Sequence, residues 1–300
     1  MVNQTKSLLF VAVLFCLTSR AGAEDYAARY KQLQDQHADA QIEPLLSEWR
    51  EKAPNDPEAW IASANYCFNQ RQINISTKKA GKSDFTLTDK KTGKQAGSIS
   101  FEQDKGNIRR AADLLQEATT KFPDRLDIWC GLAFIYQESG DFDNELSTLK
   151  KMVAYAREHP AQLKWLQGEA LKDPADKFVP EKLHSYGLYY EKKENADDDK
   201  RWFQIATLAT EQYPNHPEGF NDVGAYWADI GEWQKARESF EKAHQVNPKS
   251  TGVLINLGNV SVQQNDIAGA RKFYEEALKL EPNGEYVQEA KEALRKLKKK

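Results

Sequence analysis

The sequence repeats itself with a period of 34 residues towards its C-terminal end, and this period constrains the fold more than any other feature. When Gly224 is aligned with Gly258, large apolar residues, small residues and prolines coincide at one offset. The coinciding pairs are Phe220 with Leu254, Val223 with Leu257, Ala236 with Ala270, Phe240 with Tyr274, Ala243 with Ala277 and Pro248 with Pro282. A fixed period of this length indicates supersecondary units that bury their apolar faces against one another.

The same pattern extends to earlier parts of the chain. A proline followed six residues later by an aromatic residue occurs three times, as Pro54 with Trp60, Pro123 with Trp129, and Pro214 with Phe220. Prolines at such positions end one helix and open the next. The order of large, small and proline positions resembles the tetratricopeptide repeat, a family whose units are pairs of antiparallel helices.

This resemblance implies an all-α fold: a right-handed α-solenoid of tetratricopeptide helix hairpins, with a small β-hairpin insertion. The array is expected to span residues 24–300. Its implied repeats are 26–56, 57–70 joined to 107–123, 126–159, 180–216, 217–250 and 251–284. A capping helix is expected at 285–299, where a polar outer face would close the core of the stack.

Residues 71–106 interrupt one repeat with a different pattern. Apolar and polar residues alternate on both sides of the glycine-containing stretch 90–97, as is typical of a β-hairpin. We expect strands at Asp84–Asp89 and Gly97–Glu102, with Ile73–Ser76 as a candidate third strand. The alternative is a disordered loop rich in Lys, Gly and Ser.

Two further departures from the period stand out. Residues 160–179 do not fit the 34-residue spacing; their apolar pattern predicts a helix at Gln162–Lys172, a connector at Asp173–Val179, and a new repeat from Pro180. Glu145 occupies the position where later repeats have alanine. We therefore expect looser or differently angled helix packing in the repeat at 126–159.

The N-terminal residues have the features of a secretory signal peptide. Lys6 precedes a ten-residue apolar run, and Ala21-Gly22-Ala23 forms a small-residue cleavage site. The sequence thus predicts a signal peptide at 1–23, cleavage after Ala23, and a periplasmic or secreted protein; the alternative is an uncleaved anchor. Two cysteines then remain, Cys67 and Cys130, either as apolar packing residues or as a disulfide.

Composition argues against several functional classes. The formal net charge is -3, so there is no basic excess that would favour nucleic acid as a partner. Charged residues make up 29% of the chain and its mean hydropathy is -0.75, which does not fit an integral membrane protein. The five histidines lack metal-ligand spacing, and HExxH, CxxC and GxSxG motifs are missing from the sequence. We therefore expect no enzymatic activity, no cofactor and no bound metal.

The resemblance also implies a binding surface. In the tetratricopeptide family the first helices of the repeats line a concave groove that takes a peptide or helix. Transferring the groove positions by register selects Asn65, Phe68, Phe134, Gln137, His184, Glu191, Asn221 and Asn259. The leading hypothesis is a non-catalytic, exported interaction scaffold that binds a protein or peptide partner of the cell envelope, with the hairpin as a second contact.

Two other hypotheses remain open at this stage. Aromatic residues of the groove could serve a glycan-binding protein or an accessory to an envelope enzyme. Alternatively, the chain could be a self-assembling structural stack, for example a homodimer formed through its end helices.

Overall fold

The computed structural model describes residues 25–79, 85–191, 196–284 and 286–297. The helices in these ranges are α1 (Tyr26–Asp35), α2 (Asp39–Lys52), α3 (Pro57–Asn69), α4 (Lys105–Lys121), α5 (Leu126–Ser139), α6 (Phe142–Glu158), α7 (Ala175–Glu191), α8 (Ala196–Gln212), α9 (Pro217–Asp229), α10 (Trp233–Val246), α11 (Thr251–Gln263), α12 (Ile267–Leu280) and α13 (Val287–Leu297). The strands are β1 (Arg71–Ser76), β2 (Phe85–Thr88) and β3 (Gln95–Gln103). Within the described ranges, the structure contains no helix with the length and apolar character needed to span a bilayer. The chain divides into two compact units between Pro54 and Asn55.

The first unit contains a pair of contacting helices, α1 and α2. Helix α2 buries Ile42, Leu46 and Trp49, which the helical spacing places on one face. The ring of Tyr26 on α1 stacks on Trp49 with centroids 5.9 Å apart. The carboxylate of Asp25 accepts a hydrogen bond from the backbone N–H of Ala28 and so caps α1.

The second unit is built from successive helix hairpins. In each hairpin a first helix packs against a second helix, giving the pairs α3–α4, α5–α6, α7–α8, α9–α10 and α11–α12. Each second helix then packs against the first helix of the next pair. The last helix, α13, buries Val287, Ala290 and Leu297, and the latter two join a core cluster with Leu254 and Tyr274. The all-α hairpin architecture that the resemblance implies is confirmed.

The insertion between α3 and α4 is a three-stranded antiparallel sheet in the order β1-β3-β2. The candidate third strand is therefore present, and it lies beside β3 in a register that pairs Ile75 with Ile99. The predicted hairpin is also present, as β2 and β3, although the predicted start at Asp84 lies outside the described residues. Its turn is held by the Asp89 carboxylate, which accepts hydrogen bonds from the backbone N–H groups of Lys91 and Thr92.

The helix predicted at Gln162–Lys172 is wrong. The structure has only a short 3-10 turn at Leu166–Gly168, in which Gln167 has a φ of 61°. The backbone of Lys164 pairs elsewhere: its N–H donates to the carbonyl of Asp124 at 2.8 Å, and its carbonyl accepts from the N–H of Leu126 at 3.0 Å. These bonds use the groups that a helix at this position would need for its own ladder.

The repeat expected from Pro180 begins earlier than the prediction placed it. Helix α7 starts at Ala175, so Pro180 lies inside the helix rather than at its first position. The extra turn is stabilised by packing, because Val179 is fully buried and Phe178 contacts Trp165 with ring centroids 4.9 Å apart.

Candidate functional site

The predicted groove residues lie on the first helices of the second unit, and we call this set the first-helix face. It consists of the eight predicted positions on α3, α5, α7, α9 and α11. Asn65, Phe134, Glu191 and Asn259 are exposed, while Phe68, His184 and Asn221 are half-buried. Gln137 differs, because it is only 6% exposed and its amide is used inside the unit. The remaining seven are accessible to a partner to different degrees.

Close contact between the two helices of a hairpin fixes the position of each first helix. On α9, a Cβ atom added to Gly224 would lie 2.6 Å from the ring of Phe240 on α10. On α7, a Cβ atom added to Gly187 would lie 2.9 Å from the Trp202 ring on α8. Only glycine lets the aromatic ring of the second helix lie this close to the first. The glycine and aromatic positions of the 34-residue period therefore set how close the first helix lies to the second helix of its hairpin.

Helices α3 and α5 are joined at both ends. At the C-terminal end, the rings of Phe68 and Phe134 meet edge to face with centroids 5.6 Å apart. Near the N-terminal end, the buried guanidinium of Arg125 donates to Glu58 at 2.8 Å and to both carboxylate oxygens of Asp127. Burial raises the pKa of Glu58, whereas the positive charge of Arg125 opposes that rise.

Helices α5, α6 and α7 meet around the fully buried Glu145. Its carboxylate accepts hydrogen bonds from the Nε2 atom of Gln137, at 2.8 Å, and from the hydroxyl of Tyr190. Gln137 Nε2 also donates to the carbonyl of Tyr186 at 3.3 Å. The acid that this repeat has in place of alanine is thus enclosed and hydrogen-bonded. Burial and the Glu145 carboxylate raise the pKa of Tyr190, so the phenol remains the donor.

Cys67 and Cys130 are both free thiols in the part of the chain that the structure describes, so the disulfide alternative is not observed. The sulfur of Cys130 lies 3.8 Å from the sulfur of Met152, and its backbone carbonyl accepts from the Tyr186 hydroxyl. Burial raises the pKa of Cys130 to about 12, so its thiol is protonated at neutral pH. This environment is that of a packing residue rather than a nucleophile.

Helices α7 and α9 are joined by an ionisable pair. The Nδ1 atom of His184 lies 2.7 Å from Oδ2 of Asp222, which is buried. The hydrogen bond to Asp222 raises the pKa of His184. Burial raises the pKa of Asp222 to about 6, with the histidine acting in the opposite direction. The pair therefore holds its protons more tightly than the same groups in water.

Amide side chains join α11 to α9 on one side and to α13 on the other. Asn256 on α11 donates to the side-chain oxygen of Asn221 on α9 at 2.9 Å. Asn259 accepts from the Tyr274 hydroxyl at 2.6 Å and donates to Glu289 on α13 at 3.1 Å. These contacts fix the orientation of the amides, which can both donate and accept hydrogen bonds.

The residues that sequence reasoning missed are Glu145, Arg125 and Asp222. An acid at an alanine position was a usable signal for Glu145, because a buried carboxylate requires partners. Arg125 and Asp222 gave no comparable signal, since their partners lie on other helices. Among the described residues there is no group of three or more His, Cys, Asp or Glu side chains placed to hold a metal ion.

Comparison with known proteins agrees with this architecture. Residues 230–294 match the family model described as tetratricopeptide repeat. No curated protein matches the sequence.

Several solved structures are similar to the chain. The structure titled "YrrB: a TPR protein with an unusual peptide-binding site" is 12% identical, with 82% of this chain and 97% of that chain covered and a TM-score of 0.42. MamA is 16% identical, with 59% and 91% covered and a TM-score of 0.38. The Sgt2 TPR domain from Aspergillus fumigatus is 24% identical, with 40% and 79% covered and a TM-score of 0.36. Residues 230–294 therefore match the tetratricopeptide-repeat family, and the second unit has the helix-hairpin packing described above.

Proposed function

We propose that this chain is a non-catalytic scaffold that binds an extended or helical polypeptide on its first-helix face, after export to the cell envelope. The observation that carries the proposal is the order of side chains on successive first helices. An amide or aromatic group is accessible on each of α3, α5, α9 and α11, and its neighbours fix its position. A surface of this kind repeats its contacts along one direction, as a polypeptide does.

The chemistry of these groups suits a peptide backbone. Asn65, Asn221 and Asn259 carry amides that can donate to carbonyl groups and accept from N–H groups. Phe134 is 43% exposed and lies against Phe68, so it offers an apolar contact beside the amides. The combination supports recognition by hydrogen bonds beside an apolar contact.

Export is supported by the sequence of residues 1–23, which lie outside the described ranges. A measurement of the mature N-terminus tests it directly. When the full-length chain is expressed in a Gram-negative host, we expect the purified protein to begin at Glu24 and to be recovered from the periplasm. An intact Met1 in the cytoplasmic fraction would refute export in that host.

Peptide selection tests the binding site. Residues 24–300 are immobilised and used to select from a random peptide display library, and the selected peptides are measured by fluorescence anisotropy. We expect the double variant Phe134→Ala and Asn221→Ala to weaken binding by about tenfold or more, as for central interface residues. A matched control on second helices, Gln116→Ala with Gln234→Ala, replaces exposed amides away from the face and should bind normally.

Two results would overturn the proposal. If no peptide is enriched over a blank support, the face does not bind polypeptides. If peptides are enriched but bind the Phe134→Ala and Asn221→Ala variant as well as the unaltered chain, the binding surface lies elsewhere.

A further inference from the structure

The inserted sheet exposes apolar side chains in a row across its strands. Ile75 on β1 and Phe85 on β2 are both paired with Ile99 on β3, so all three lie on the same face of the sheet. Ile75 is 73% exposed and Phe85 is 63% exposed, the two largest exposed fractions among the large apolar residues described. Adjacent exposed apolar groups of this size on a small sheet mark an interaction surface.

The same insertion is basic although the chain as a whole is acidic. Residues 71–106 contain eight Lys and Arg against four Asp and Glu, a net charge of +4, while the formal net charge of the whole chain is -3. Five exposed lysines of the insertion lie beyond the ends of the strands, namely Lys78, Lys79, Lys90, Lys91 and Lys94. A partner for this sheet must therefore offer negative charge around an apolar contact.

The first-helix face has the opposite charge. The five first helices, α3, α5, α7, α9 and α11, together contain nine Asp and Glu residues against two Lys and no Arg. Glu138 and Asp229 on these helices are exposed, as is Glu191 on α7. Burial raises the pKa of Asp229, and the negative charges of Glu191 and Asp199 add to that rise. Aromatic contact is available on the same face at Phe134.

We propose that the inserted sheet of one copy of this chain docks on the first-helix face of a second copy. The proposal rests on the proposed function, because it uses the same face, and it names the occupant. The apolar row of the sheet would cover the Phe134 region, and the lysines would lie near the carboxylates. An anionic lipid surface fits the sheet less well, since the rest of the chain carries a net charge of -7 and would be repelled.

Such a contact is head to tail, because the two docking surfaces are different parts of the chain. Every copy keeps one unused sheet and one unused face after pairing, so assembly can continue beyond a dimer. This property allows head-to-tail assembly to be distinguished from a symmetric dimer by experiment. A copy with a defective sheet and a copy with a defective face still retain one complementary pair of surfaces between them.

The test compares three forms of residues 24–300 by light scattering over a range of concentrations. The sheet variant is Ile75→Thr with Phe85→Thr, and the face variant is Glu138→Lys, Glu191→Lys and Asp229→Lys. We expect the mass of the unaltered chain to rise with concentration and to fall again at high salt. Each variant alone should assemble at least about tenfold more weakly, whereas an equimolar mixture of the two should form a dimer that does not grow further.

A matched control reverses the same number of exposed acids on second helices, as Glu117→Lys, Glu211→Lys and Glu275→Lys, and should assemble like the unaltered chain. Circular dichroism of each variant confirms that its helices are retained. A monomer at all concentrations, or a mixture that stays monomeric, would overturn the proposal. So would binding of the monomer to vesicles of anionic lipid that is lost in the sheet variant.

The two proposals can fail separately. If the chain stays monomeric but selects peptides that depend on Phe134 and Asn221, only the self-docking inference fails. If the mixture forms the capped dimer but no peptide is selected, the face is specific for a second copy and the broader function fails.

Discussion

The imidazole Nδ1 atom of His184 and the carboxylate Oδ2 atom of Asp222 lie 2.7 Å apart and join helix α7 to helix α9. Both groups have pKa values above their ordinary ones, of 6.5 for the histidine and 3.8 for the aspartate. The folded chain therefore binds more protons at this pair than the unfolded chain does. Its stability must decrease as the pH rises through the range where these protons are lost.

The first prediction concerns this pH dependence. The contribution of Asp222 is fully present below pH 3.8 and is lost as the pH rises through about 6. That of His184 is lost above its ordinary pKa of 6.5. We expect Asp222→Asn to flatten the pH dependence of the free energy of unfolding by about 1–3 kcal/mol between acid and mildly alkaline pH. Urea unfolding at a series of pH values measures it.

His159→Gln is the control for this experiment, since His159 lies in a turn and its nearest acid is Glu158, 3.9 Å away. It should leave the pH dependence unchanged. If the free energy of unfolding depended on pH equally in the unaltered chain and in Asp222→Asn, the His184–Asp222 pair would not be the cause of that pH dependence.

The second prediction concerns the enclosed Glu145. Replacing it with alanine removes the acceptor used by Gln137 and Tyr190 and leaves a void. We expect Glu145→Ala to lower the free energy of unfolding by about 3–5 kcal/mol, although alanine is the residue used at this position in later repeats. Replacing both donors as well, by Gln137→Leu and Tyr190→Phe, should recover part of the loss. Urea unfolding at neutral pH measures each change.

The exposed Glu138 on the same repeat provides the comparison for Glu145. Its replacement by alanine should change stability by no more than about 0.5 kcal/mol. A Glu145→Ala variant as stable as Glu138→Ala would mean that the hydrogen bonds contribute little.

The third prediction concerns glycine at the helix contact. Gly224→Ala would place a methyl group 2.6 Å from the Phe240 ring, and we expect a loss of about 1–3 kcal/mol. Gly252→Ala is a matched helical change, because its nearest atom, on Tyr286, would be 3.4 Å away. That variant should be as stable as the unaltered chain or more stable by about 0.5–1 kcal/mol, as helix propensity predicts. Thermal unfolding of the two variants measures both changes. Equal losses of stability in Gly224→Ala and Gly252→Ala would argue against the close contact between Gly224 and Phe240.

The fourth prediction concerns Arg125. Its replacement by alanine leaves the carboxylates of Glu58 and Asp127 without their shared cation, and we expect a loss of about 3–5 kcal/mol. The Arg125→Lys variant should be intermediate in stability between the unaltered chain and Arg125→Ala, because an ammonium group cannot donate the same set of hydrogen bonds as a guanidinium group. Arg237→Ala is the contrast, since that more accessible ion pair with Glu241 should contribute about 1 kcal/mol or less. Urea unfolding compares the three, and similar losses for Arg125→Ala and Arg237→Ala would refute the distinction.

The hairpin repeats were predictable from the sequence because each rests on a local rule. Gly224 and Phe240 mark a helix contact within one repeat, and the same spacing returns 34 residues later. The strands were predictable for a similar reason, since alternation at Ile75, Phe85 and Ile99 needs only a short window.

The failures came from contacts between distant parts of the chain. The backbone of Lys164 bonds to Asp124 and Leu126, and backbone hydrogen bonds of this kind leave no mark in a pattern of side chains. Leu163, Leu166 and Leu171 have helical spacing, yet Gln167 has left-handed backbone geometry that an α-helix cannot contain. Gln137 was assigned to the face by register, but the carboxylate of Glu145 on the next helix holds its amide inside the core.

The segment between α6 and α7 also determines how this unit should unfold. In a regular array each repeat can open at the end of the stack with little effect on the others. Here the strand-like stretch around Lys164 is bonded to the residues that begin α5, while Trp165 rests on Phe178 of α7. Loss of either repeat would leave the segment without its contacts to that repeat. The segment therefore couples the two repeats thermodynamically, so that they melt in a single cooperative transition instead of fraying one after the other.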